Sequence, residues 1–184
     1  MSIRRPDPRH PGGETPLAED PLASAYWIRD FRRQDAADVR ELVFGVLAEF
    51  GLAPDHAGTD VDLSDVELHY QARGGGFWVV EDGRGRVVGT CGLWLDPDQP
   101  ARCELRKMYL TPDWRGRGLG GRLLETALDQ ARAAGRRRVE LETNRAMTSA
   151  IALYESRGFR EFEGDTCERC DRRFALELED GVQP

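Results

Sequence analysis

Residues 103–131 read CELRKMYLTPDWRGRGLGGRLLETALDQA: a strand, a short turn and a helix in succession. Glu104 to Leu110 alternates as a strand does. Thr111 to Trp114 is a turn carrying Pro112. The helix that follows places Leu119, Leu123, Leu124, Ala127, Leu128 and Ala131 on one face and ends near Gly135. Between turn and helix lies RGRGLGG, Arg115 to Gly121, which has the chemistry of a pyrophosphate seat. Gly116, Gly118, Gly120 and Gly121 let a ligand approach the backbone without side-chain interference. The first N–H groups of the helix, Leu119 among them, have no partner inside it and make an anion site together with the helix dipole. Arg115 and Arg117 add fixed charge and forked donors suited to phosphate oxygens.

Two motifs overlap in this stretch. Gly116, Gly118 and Gly121 spell G-x-G-x-x-G, with Glu140 and Glu142 about twenty residues on, the spacing of a dinucleotide fingerprint. In that fingerprint the strand runs almost directly into the first glycine; here Pro112, Asp113, Trp114 and Arg115 intervene. The second motif is R-x-x-G-x-G, as Arg115, Gly118 and Gly120. With the flanking text ELRKMYLTPDWRGRGLGGRLLETAL, then ELET, then AIALYESRGF, it resembles the acyl-CoA-binding region of the GCN5-related N-acetyltransferases (GNAT). The resemblance runs from Trp27 to Leu178 and is most specific in 104–159. It implies an α/β fold with a mixed, mostly antiparallel central sheet and flanking helices, acetyl-CoA as acyl donor, and an amine of a small molecule or peptide as acceptor.

The bounds of the whole chain agree. A length of 184 residues suits one domain plus a tail, and the composition is that of a globular protein. The net charge of -7 argues against nucleic acid as a partner. No apolar run reaches membrane-span length and no secretory leader is legible, so the expected location is cytoplasmic, with no membrane partner. Of the four cysteines, Cys91 and Cys103 fall in strand-like segments and read as small buried residues. Cys167 and Cys170 form C-x-x-C, but no second pair or histidine pair stands near them in sequence, and the motif precedes a strand. No metal is expected there.

Residues 1–24 carry Pro6, Pro8, Pro11, Pro16 and Pro21 among charged and small residues and read as a disordered tail; 25–180 is the expected acyltransferase domain. Tyr26 to Phe31 reads as a first strand. Gln34 to Phe50 reads as a helix with Val39, Leu42, Val43, Val46 and Leu47 inward and Gly51 as its stop. The acidic loop 55–65 is expected to be solvated, with Asp62 or Ser64 capping a helix at 65–72. Strands at 77–81 and 86–95 flank the turn Asp82 to Gly85. Arg136 to Arg138 reads as a solvated basic triplet opening a strand at 138–143. That makes 104–143 a strand–helix–strand crossover, which implies parallel pairing. A helix at 147–157 with Gly158 as its stop, and strands at 159–163 and 173–179, complete the chain.

The resemblance assigns roles. The strand end Met108, Tyr109 and Leu110 is expected to line the pantetheine arm and offer backbone amides to the thioester carbonyl. Tyr154 matches the family's general acid, although its neighbours Ile151, Leu153 and Phe159 suit a plain core tyrosine as well. Glu104 matches a glutamate base of some members, and Glu142 is a second candidate; a Glu104–Arg106 surface pair is the bland reading. Alternation of period two puts Glu104, Arg106, Met108 and Leu110 on one face. Where many members carry an asparagine seven residues before the tyrosine, this chain has Met147; Asn144 is the substitute. Asp60, Asp62, His69 and Tyr70 are the candidates for acceptor contacts. The alternative function is an acyl-CoA-binding sensor without turnover. The last strands offer a possible homodimer contact.

Overall fold

The computed structural model describes residues 25–178. The expected tail at 1–24 and the last two residues of the expected domain lie outside the described residues. Seven strands form one sheet in the order β1-β2-β3-β4-β5-β7-β6. They are β1 (Tyr26–Asp30), β2 (Gly76–Asp82), β3 (Val87–Leu95), β4 (Arg102–Leu110), β5 (Arg138–Thr143), β6 (Arg160–Glu161) and β7 (Arg172–Glu177). Only β4 and β5 run parallel, joined by the helical crossover the sequence predicts; the other neighbours are antiparallel. The helices are α1 (Ala36–Glu49), the short α2 (Val66–His69), α3 (Leu119–Ala133) and α4 (Thr148–Ser156).

Period-two alternation divides the sheet into two apolar faces. Trp78 and Val80 of β2 pack with Leu123, Leu124, Ala127 and Leu128 of α3 and with Ile151 and Tyr154 of α4. Phe77 and Val79 pack on the other side with Val39, Val43 and Leu47 of α1 and with Leu63, Val66 and Tyr70. Each fully buried leucine or valine here contributes about 1.5–3 kcal/mol. Cys91 and Cys103 are buried in the first of these cores, as expected of small apolar residues.

Helix ends are set by glycines in the expected places. At the end of α4, Phe159 N–H donates to Tyr154 O and Gly158 N–H to Glu155 O, with Gly158 at φ +87°. This is a Schellman motif, in which the residue after the glycine packs back on the last turn. Here that contact is the Phe159 ring, 5.8 Å from the Tyr154 ring. The helix stop therefore also fixes the tyrosine.

Three expectations need correcting. The segment expected as a helix at 65–72 is the four-residue α2 followed by a 3-10 turn at Gln71–Arg73, and another 3-10 turn, Val61–Ser64, precedes it. Its cap is Asp65, which accepts from Leu68 N–H at 3.0 Å, rather than Asp62 or Ser64. The loop before it is not solvated at its acidic end: Asp60 and Asp62 are both buried. Of the basic triplet, Arg137 is exposed as expected, whereas Arg136 and Arg138 are partly buried, Arg136 donating to Pro100 O and Arg138 to Glu140 at 2.6 Å.

The alternation expected along β4 fails at one residue. Thr90 pairs with Tyr109 and Gly92 with Arg106, so two steps of β3 face three of β4. The extra residue is Lys107, at φ +52°, and the Thr90 hydroxyl donates to its carbonyl at 2.7 Å. A bulge of this kind reverses the side-chain phase beyond it. Cys103, Leu105, Met108 and Leu110 consequently face α3 and α4, and Tyr109 faces α1. Glu104 and Arg106 do not share a face with Met108 and Leu110.

Candidate active site

β4 and β5 stay paired only through Arg102, Cys103 and Glu104 with Arg138, Val139 and Glu140. From Leu105 onward the two strands part, and the gap is a cleft of about 620 Å³. Parallel strands that separate leave backbone donors and acceptors on their inner edges without a ladder partner. The bulge at Lys107, in the ladder with β3, falls in the stretch of β4 whose other edge is no longer paired with β5.

The glycine turn follows the end of β4 in the chain, past Tyr109, the last β4 residue that lines the cleft. Gly116 and Gly118 have φ of +71° and +77°, and a Cβ built on either meets nothing within 4 Å. Backbone conformation and an uncovered surface therefore explain glycine at these two positions. Gly118 is the residue before α3, so the amides of Leu119, Gly120 and Gly121 face outward without acceptors inside the helix. Gly120 and Gly121 have a different reason to be small. A Cβ at Gly120 lies 3.1 Å from Leu153, and one at Gly121 lies 2.7 Å from Arg157. These two let α3 approach α4.

The two arginines of the motif are employed within the protein. Arg115 makes a two-pronged pair with Glu49 at 2.5 and 2.8 Å, and its Nε donates to Leu110 O at 2.9 Å. It thereby ties the turn to the end of α1 and the end of β4. Arg117 stacks on buried Trp114 at 4.7 Å. The turn therefore presents backbone amides outward, while the arginines are engaged in shaping the loop.

Tyr154 reaches the cleft from α4, buried, with its hydroxyl 3.8 Å from Met108 Sδ. Burial pushes its phenol above the ordinary tyrosine range, so it stays protonated at neutral pH. Tyr109, raised by burial in the same way, lines the cleft from the opposite face of the sheet. Glu104 and Glu142 also line it. Glu104 carries the surface pair considered above, with Arg106 at 2.6 Å, and Arg106 lies 4.4 Å above the Trp94 ring. Glu142 accepts from Cys167 N–H at 2.9 Å. Asn144 is at the cleft too, but its side chain is taken up locally: Nδ2 donates to Arg169 O, and Oδ1 accepts from Ala146 N–H.

The opposite wall is held by a buried ion network that no sequence spacing announces. Lys107 Nζ donates to Thr59 O and lies 3.0 Å from Asp60 and 3.3 Å from Asp62. Asp60 also accepts both prongs of Arg169, at 2.5 and 2.7 Å. Asp62 accepts from the Tyr70 hydroxyl. Burial alone raises the Asp60 carboxyl, but Arg169, the Asp55 amide and Lys107 outweigh it and hold it well below the carboxylate range. Of the four acceptor-side candidates, Asp62 and His69 line the cleft, while Asp60 and Tyr70 stand behind its wall. Lys107 and Arg169 were missed. Their signal is a three-dimensional one: a lysine in left-handed backbone and an arginine far along the chain, converging on one aspartate.

The C-x-x-C turn closes the cleft beside Glu142. Cys167 and Cys170 both line it. A hydrogen bond from Cys170 lowers the Cys167 thiol to about 7 and raises Cys170 in turn.

Comparison with known proteins gives a consistent result. A model of the acetyltransferase (GNAT) family matches residues 46–159. An uncharacterised N-acetyltransferase of Escherichia coli, YjgM, is 39% identical over 139 residues, 74% of this chain and 83% of that protein. A GNAT acetyltransferase of Staphylococcus aureus superposes with a TM-score of 0.78 at 23% identity, covering 84% of this chain and all of that one. Salmonella typhimurium YncA, a putative acetyltransferase solved with its cofactor acetyl-CoA, gives 0.69 at 22% identity over 87% of this chain and 98% of its own.

Proposed function

The chain belongs to the GNAT acetyltransferase family, and we propose that it moves an acetyl group from acetyl-CoA to a primary amine carrying positive charge, on a small molecule or peptide, by direct attack. The family's enzymes are acyltransferases that use acetyl-CoA and act on amine acceptors. The observation that carries the reading for this chain is the parting of β4 from β5 beside the Arg115–Gly121 turn, with the Tyr154 hydroxyl in the opening. The residues fit the donor: bare turn amides before α3 suit a pyrophosphate, and the unladdered edge of β4 at Met108, Tyr109 and Leu110 suits an extended amide-bearing arm.

Acetyl-CoA supplies the thioester; the chain supplies position, hydrogen bonds and proton traffic. Amides around the Lys107 bulge stabilise the negative charge that collects on the carbonyl oxygen. Tyr154, neutral because it is buried, gives a proton to the departing sulfur. Glu104, Glu142 or a water takes the amine proton, since both carboxylates line the cleft.

The preference for a cationic acceptor follows from the lining. Asp55, Asp62, Glu104, Glu142 and Glu168 stand against Arg106, Lys107 and Arg169. All three of those cations are already paired with carboxylates. The surplus is negative and attracts an ammonium group. The test is a thiol-release screen over matched amine panels, cationic and anionic. Turnover concentrated in cationic primary amines supports the reading. Turnover confined to anionic acceptors contradicts the charge argument, and no release with any amine contradicts the reaction.

A further inference from the structure

We propose that Cys167, Cys170 and Glu142 bind one thiophilic divalent cation, with zinc as the type, leaving its fourth position open to the cleft. The ligating atoms of these three residues lie within 4.8 Å of one another. In a tetrahedral site with bonds of about 2.0–2.3 Å, ligand atoms stand roughly 3.5–3.8 Å apart. Closing the set therefore takes about an ångström of approach between ligand atoms, a distance on the scale of side-chain rotation.

The backbone is already arranged for it. Cys170 N–H donates to Cys167 O at 2.9 Å, closing the turn between the two cysteines, and the Thr166 hydroxyl donates to Cys170 O at 2.8 Å. The turn is tied to the end of β5 by Asp171 N–H to Thr143 O and by Asn144 to Arg169 O. Glu142 is on β5 itself, and its Oε2 is oriented by the Cys167 amide. The third ligand thus comes from a strand 25 residues before the motif, which is why a C-x-x-C without a second pair looked incomplete in the sequence.

The charges also suit a cation with soft ligands. Two thiolates and a carboxylate around a dication leave one net negative charge. Arg173 Nε lies 3.7 Å from Glu142 Oε1, and that buried nitrogen has no hydrogen-bond acceptor of its own. It is positioned to balance the loaded site and steady the carboxylate, as groups behind metal ligands do. Three protein ligands with an open position is the pattern of a zinc site that keeps a place for water or substrate, unlike a closed structural site. Cation binding and proton acceptance compete for the same Glu142 oxygens.

The proposal does not depend on acetyl transfer, and the metal alone reads it. The full chain, reduced and freed of metal by chelation, is titrated with cobalt(II) and then zinc. One equivalent of cobalt is expected, with a thiolate-to-cobalt charge-transfer band that zinc abolishes. Cys170→Ser is expected to weaken binding at least about 100-fold and Glu142→Gln about 10-fold. Because serine variants can misfold, the wild type is also alkylated: zinc should slow modification of both cysteines, and a chelator should restore it. No charge-transfer band, equal affinity in the Cys167→Ser/Cys170→Ser variant, or no protection from alkylation overturns the site. Unchanged affinity in Glu142→Gln overturns the third ligand.

Discussion

The two walls of the cleft are built by opposite means. The side proposed for the donor, running from β4 through the 115–121 turn into α3, is local: consecutive residues, backbone amides, and helix geometry at one terminus. The acceptor wall is assembled from distant parts. Asp60 and Asp62 from the acidic loop, Lys107 from the β4 bulge and Arg169 from the C-x-x-C turn meet in one buried network. Local construction depends on the residues of one segment alone. A network of buried charges depends instead on partners brought together from several segments.

If that contrast is right, removing one charge should damage one wall alone. The largest effect is expected from Asp60→Ala. It strips Arg169 of its carboxylate partner and leaves Lys107 with Asp62 and Thr59 O alone, a loss of about 3–5 kcal/mol, measured by urea unfolding. Asp60 also sets an acid dependence. Its folded carboxyl lies below the unfolded value of about 3.9, so its stabilisation is complete above that pH and drains away as pH falls further. Asp60→Asn should flatten the decline in stability below about pH 4, readable as a shallower acid-unfolding curve.

A second break acts on the chemistry between the walls. Tyr154→Phe keeps the ring against Phe159 and removes only the hydroxyl. It should lower kcat roughly 10- to 1000-fold and leave acetyl-CoA affinity within about twofold. Wild-type kcat in that variant removes Tyr154 from the mechanism. Glu104→Gln and Glu142→Gln sharpen the assignment of the base. The variant whose pH–rate profile loses its acidic limb, with kcat down about 10- to 100-fold, identifies the acceptor of the amine proton; if neither does, water is the base.

The smallest effect tests the donor wall. Gly118→Ala has open space for its methyl, so its cost is the left-handed backbone alone, about 1–2 kcal/mol. Acetyl-CoA Kd should rise roughly 5- to 30-fold in calorimetry. Acceptor KM should stay put, because the ion network is untouched.

The same contrast explains what could be read from the chain beforehand. The crossover, the hairpin, the helix-stopping glycines at 51, 135 and 158 and the apolar face of α3 are legible because each depends on residues close in sequence. The donor motif belongs to that class. The phase of β4 beyond Arg106 was not legible: it turns on Lys107 adopting φ +52°, a choice enforced by Asp60, Asp62 and Thr59 from elsewhere. For the same reason a loop written in aspartates read as solvated, although its key carboxylates are buried against cations that arrive from other parts of the fold. The pairing of Arg115 with Glu49 of α1 was likewise not legible, because the two residues lie far apart in the chain.

The most direct test of the account is titration calorimetry of the full chain with acetyl-CoA and with NADH, repeated on a variant with bulky residues at Gly118 and Gly120. The account predicts saturable acetyl-CoA binding in the low micromolar range, none for NADH, and loss of binding in the variant. No heat with acetyl-CoA, or equal binding in the variant, would contradict it.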